Sequence, residues 1–126
     1  MKYIIVSFLL LSIMFCLCLY SSAQVIRAVR ETSELLEEAV AAEDNGEKEI
    51  SLHMIRTARD TWREHETFFG TVLRHDEIDN VTEEFAKLES YASTEDQDDF
   101  RSHCAALLSR LAHIVEMEKT TFSNIM

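Results

Sequence analysis

Hydrophobic and polar positions along the chain fall into two regimes. From Tyr3 to Tyr20 the residues are Ile, Leu, Val, Phe, Met and Cys, broken only by Ser7 and Ser12, and no charge occurs between Lys2 and Arg27. After Gln24 the pattern changes to apolar residues every three or four positions, the period of a helix with one buried face. The uniform run predicts a helix that is apolar on all sides. At about 1.5 Å per residue it spans roughly 27 Å, close to the hydrocarbon thickness of a bilayer, and Tyr3 and Tyr20 flank it where interfacial aromatics are favoured.

The periodic part predicts four amphipathic helices. The first starts near Val25, carries Val29, Thr32, Leu36, Ala39 and Val40 on one face, and stops at Glu43-Asp44-Asn45-Gly46, where Asn and Gly accept left-handed backbone angles. Only Ser21 to Gln24 separate it from the apolar run, so the two can be one helix. The second runs from about Glu47 to Leu73, with Ile50, Met54, Ala58, Thr61, His65, Phe68 and Val72 in line and Ile55, Trp62, Phe69 and Leu73 widening the stripe. The third starts near Asp76, read as its N-cap, and spaces Ile78, Val81, Phe85, Leu88 and Ala92 for one face. The fourth opens on Thr94-Glu95-Asp96-Gln97, a capping-box pattern, and its seam is Phe100, Cys104, Leu107, Leu111 and Ile114, then Phe122.

The expected fold is therefore all-α: an N-terminal transmembrane helix followed by a four-helix antiparallel bundle or two packed helical hairpins. Residues 1–23 are read as the anchor or uncleaved signal, and 24–126 as one acidic helical extracytoplasmic domain. The absence of proline and the presence of only two glycines, Gly46 and Gly70, agree with long helices and few breaks. Ser21-Ser22-Ala23 also fits a signal cleaved after Ala23, the competing reading. Lys2 and the α-amino group put the N-terminus on the cytoplasmic side, with Arg27 and Arg30 arguing the other way. The expected location is the cell membrane, single-pass, with the domain outside.

Charge narrows the partners. All 23 acidic residues and all but one of the 12 Lys and Arg follow Ala23, so this part carries a formal −12. That disfavours a nucleic-acid role and lying flat on an anionic membrane. It favours cations, basic proteins or another membrane or exported protein as partner. Cys16 and Cys18 lie in the apolar run, leaving Cys104 alone in the domain with no disulfide partner there; it reads as a small buried hydrophobe.

Searching for chemistry yields no Gly-rich phosphate loop, CxxC, HExxH or Gly-x-Ser-x-Gly motif, and no Glu-x-x-His pair of the di-iron bundle type. The pairs Glu49/His53, Asp99/His103 and His113/Glu116 read as solvated surface pairs. Two polar residues fall on apolar stripes, His65 and Glu118. They form the candidate buried polar pair, each able to satisfy the other, with no third ligand for a metal; their ordinary reading leaves Glu118 in water at a helix end and His65 hydrogen-bonded to a backbone carbonyl. Trp62 reads as a core anchor or interaction residue. His75 and Asp79 are candidate interaction residues, with a helix start as their ordinary role. The cluster Glu95, Asp96, Asp98 and Asp99 reads as a solvated helix start.

Several features together resemble a known family: the short basic start and apolar anchor, Trp62, the stretch His75-Asp76-Glu77-Ile78-Asp79, and the tail Ile114-Val115-Glu116-Met117-Glu118 leading to Asn124-Ile125-Met126. The chain resembles the domain-of-unknown-function family 4363, small clostridial-type membrane-anchored helical proteins. The resemblance implies an anchored helical architecture and supplies no activity. The function expected is that of an interaction or accessory module without catalytic activity or cofactor; the alternative is a sensor-like or carrier bundle binding a cation or small ligand.

Overall fold

The computed structural model describes residues 1–92 and 97–125, the side chains of residues 72, 97, 121, 122 and 125 excepted. The described residues form helices α1 (Lys2–Asp44), α2 (Lys48–Glu64), α3 (Glu66–Val72), α4 (His75–Ala92) and α5 (Gln97–Ile125), with no strand among them. The expected capping box at Thr94 to Gln97 lies outside the described residues.

Helix α1 joins the apolar run to the first amphipathic segment without a break. Its 43 residues extend roughly 65 Å at the usual helical rise, and its first 18-residue apolar window is wholly unburied, long and apolar enough to cross a membrane. Packing begins at Ser22 and Val25. The helix ends as its sequence dictates: Gly46 takes a φ of +78°, Gly46 N–H donates to Glu43 O at 3.0 Å and Glu47 N–H to Ala42 O at 2.9 Å. This Schellman arrangement satisfies carbonyls that the helix end would leave open.

α1 packs against α2 and α5, and α4 packs against the same two helices. Pairs along the seams fix the directions. Arg101 meets Asp44 and Glu118 meets Ser22, so α5 runs back along α1; Arg59 meets Glu89 and Thr82 meets Glu66, so α4 runs back along α2. The core between them holds Val29 and Leu36 of α1, Ile55 and Trp62 of α2, Phe85 and Leu88 of α4, and Phe100, Leu107 and Leu111 of α5.

Two expectations need correction. The second predicted helix is broken at His65, whose φ of −99° and ψ of −2° separate α2 from α3. Trp62 and Phe69, seven residues apart, would stand roughly 10 Å apart along a straight helix, and across the break their ring centroids lie 4.6 Å apart. The buried line of α2 is Ser51, Ile55, Ala58 and Trp62, while Ile50 is 47% exposed. A stripe this wide does not say which edge faces inward; the small residues Ser51 and Ala58 allow the close approach to α1.

Candidate functional site

The polar contacts that matter most lie where the helical part meets the apolar run. Ser22 Oγ donates to Glu118 Oε2 at 2.9 Å, tying α1 to the last turns of α5. The expected pair of His65 and Glu118 is not formed. α2 and α5 both neighbour α1 and α4 and are not principal neighbours of each other, so a carboxylate on α5 is met by the adjacent α1. His65 instead turns back on its own helix: its Nδ1–H donates to the Thr61 carbonyl at 2.9 Å, and its ring stacks on Phe69 with centroids 5.8 Å apart.

Trp62 is 1% exposed and faces the core, with its indole Nε1 buried and unpartnered. His75 and Asp79 are exposed on the first turns of α4. α4 begins at His75, so Asp76 stands inside the first turn and not at the N-cap. There its carboxylate complements the helix dipole and pairs with exposed Arg74 at 3.3 Å.

Other polar positions were not singled out by the sequence. Glu84 of α4 is buried, lies 3.4 Å from His103 Nδ1 and 3.7 Å from Lys87 Nζ, and Tyr91 stacks on the His103 ring at 4.6 Å. His103 is thus half-buried between helices. The signal was present: Glu84 precedes Phe85 and His103 precedes Cys104, so both flank a seam, the positions from which neighbouring helices exchange polar contacts. Glu43 and Ser51 are buried with the oxygens Oε2 and Oγ unpartnered. Burial, and then the negative charge of Glu43, push the Cys104 thiol up to about 12, so it stays protonated and a poor nucleophile.

Two concave surfaces accompany these contacts. A cleft of about 140 Å³ between α2 and α4 is lined by Arg59, Trp62, Arg63 and Glu89, and the Arg59–Glu89 ion pair occupies its rim. An open groove of about 720 Å³ lies just beyond the apolar run, lined by Arg27, Arg30, Glu31 and Glu34 of α1 and Lys119 of α5. Among the described residues no three His, Cys, Asp or Glu side chains converge as a metal site would require.

Neither a curated protein nor a solved structure matches the chain. A family does: the Domain of unknown function (DUF4363) matches residues 19–125, beginning at the last turn of the apolar run and covering every helix packed in the core. With that match over most of its length, the chain belongs to the DUF4363 family.

Proposed function

We propose that the chain is a single-pass membrane protein whose α1 spans the bilayer with its N-terminus in the cytoplasm and presents an acidic, antiparallel four-helix bundle outside, where it serves as an interaction or accessory module without catalytic activity of its own. The observation that carries this reading is the unbroken α1: its apolar half is unburied while its second half is built into the core. A rigid helix of that kind holds a domain at a fixed height above a membrane. Ser22 supports retention of the anchor. It lies on the N-terminal side of the candidate cut after Ala23, and cleavage there would remove the donor to Glu118.

The bundle interior favours an interaction role over a carrier role, because large side chains such as Trp62, Phe69, Phe85 and Phe100 fill it. A partner would meet a surface of strongly negative charge, which selects basic proteins or a neighbouring membrane protein. The test has two arms. Mass spectrometry of the chain from alkaline-washed membranes is expected to find the N-terminal segment, and a mature N-terminus at Gln24 refutes the anchor. Affinity capture from detergent-solubilised membranes, with proteins and metals both identified, is expected to return a partner protein; a stoichiometric metal or small ligand instead would favour the carrier reading.

A further inference from the structure

We propose that Arg27, Arg30 and Lys119 form a seat for the phosphate of an anionic phospholipid headgroup at the membrane surface. The proposal rests on the reading of the apolar run as a membrane span; it does not depend on orientation, since both leaflets present headgroups.

The three cations line one open groove of about 720 Å³ contributed by α1 and α5. None of them has an ion-pair partner among the described residues, a condition shared with Lys2, Lys48, Arg63 and Arg110 but not with Arg56, Arg59, Arg74, Lys87 and Arg101, which are each engaged with a carboxylate; what distinguishes the three is that they share one groove. Glu31 and Glu34 stand four positions after Arg27 and Arg30 in the same groove, yet no bridge forms. The cation-first order is the weaker arrangement on a helix, and it leaves the guanidinium groups free to meet another anion.

Height above the bilayer agrees. Arg27 and Arg30 follow Tyr20 by seven and ten positions, roughly 10 and 15 Å along the axis, and the headgroup layer extends about 5 to 8 Å beyond the hydrocarbon on each side. In an α-helix each Cα–Cβ bond tilts toward the N-terminus, which for α1 is the membrane end. Long arginine stems can therefore carry their charge back down to the phosphates. Lys119 reaches the same level because the Ser22–Glu118 hydrogen bond fixes its neighbour against the first packed turn of α1. A free anion would have to approach a domain of formal charge −12, while a headgroup is already held at the surface by its bilayer; this selects the lipid over dissolved phosphate.

The test uses the full chain reconstituted in phosphatidylcholine bilayers, with electron paramagnetic resonance of spin-labelled phosphatidylglycerol compared against spin-labelled phosphatidylcholine in the motionally restricted lipid shell. Three cations less two acids leave one net positive charge, so an association constant about fivefold in favour of phosphatidylglycerol is expected. The triple variant Arg27→Gln, Arg30→Gln, Lys119→Gln leaves the two acids in place and is expected to bring the ratio to one or below, and the same fall is expected in a Lys2→Gln background, where the charge at the other end of the span is removed. Equal association of the two lipids with the wild-type chain, or undiminished preference in the triple variant, overturns the seat and leaves the anchor standing. Absence of any restricted lipid overturns the anchor itself. Displacement of the labelled lipid by inorganic phosphate beyond that by chloride at equal ionic strength would assign the groove to free phosphate and overturn the lipid assignment.

Discussion

Replacing Trp62, the chain's single tryptophan, sets two opposing effects against each other. The ring is 1% exposed and lies 4.6 Å from the Phe69 ring, while its Nε1–H is buried without an acceptor. Trp62→Phe gives up apolar contact worth about 1 kcal/mol. The space vacated, about 40 Å³, adds about 1 kcal/mol of cavity penalty. Against this, removing an orphaned buried donor recovers about 1 to 3 kcal/mol. The two nearly cancel, so Trp62→Phe is expected within about 1 kcal/mol of wild type. Trp62→Ala enjoys the same relief but empties the site, where such truncations lose about 3 to 5 kcal/mol, so a loss near the lower figure is expected. That is a large share of the roughly 5 to 15 kcal/mol available to a domain. Urea unfolding followed by circular dichroism on the fragment from Ser21, which retains Ser22, measures both. A Trp62→Phe loss above about 2 kcal/mol would mean that the indole N–H has a partner and would refute the reasoning; a Trp62→Ala loss under about 1 kcal/mol would mean that the ring is not buried.

The same fragment tests three further points. In a double-mutant cycle Ser22→Ala and Glu118→Leu are expected to couple by about 1 kcal/mol, as one charge-assisted, half-exposed hydrogen bond should, whereas His65→Leu and Glu118→Leu should be additive; coupling in the second cycle would restore the His65–Glu118 contact. Burial and Glu43 raise the Cys104 thiol from its ordinary 9.0 to about 12, so the unfolded chain ionises first as pH rises. The stability this holds in place is complete below pH 9.0 and is lost toward 12 at about 1.4 kcal/mol per pH unit. The advantage of wild type over Cys104→Ala should therefore shrink by about 2 kcal/mol between pH 9 and 10.5, and parallel pH curves would refute it. The two glycines should respond with opposite signs. Gly46→Ala forces a side chain into a φ of +78° and is expected to lose about 1 to 2 kcal/mol, while Gly70→Ala, in α3 with nothing within 4 Å of the added carbon, should gain about 0.5 to 1 kcal/mol.

Much of the molecule was legible from the order of residues because the relevant causes are local. An unbroken apolar run needs no partner to be recognised, and it became the unburied half of α1. Asn45-Gly46 carries its own reason to stop a helix. The seams of α4 and α5, Val81-Phe85-Leu88 and Phe100-Cys104-Leu107-Leu111, followed from spacing alone because each is narrow enough to have a single possible inward face. The family was legible too: the resemblance read from short stretches along the chain is met by a family match over residues 19–125.

Tertiary structure decided which polar groups meet. His65 and Glu118 each stood out on a stripe, but adjacency depends on the cyclic order of the helices. With α2 and α5 both set against α1 and α4, Glu118 found Ser22, while His65 kept to a carbonyl one turn back on its own helix. The break at His65, the buried Glu43 and the Glu84–His103 contact likewise depend on how far each helix is rotated about its axis. Periodicity fixes that rotation to within a stripe's width, and a wide stripe such as that of α2 leaves its flanks undetermined. The sequence by itself determined the long apolar run, the helices and the identity of most core residues, because hydrophobicity and backbone preference act residue by residue. Packing alone decided the polar contacts between helices and the groove beyond the apolar run, because each needs side chains from two helices brought to one height and one face.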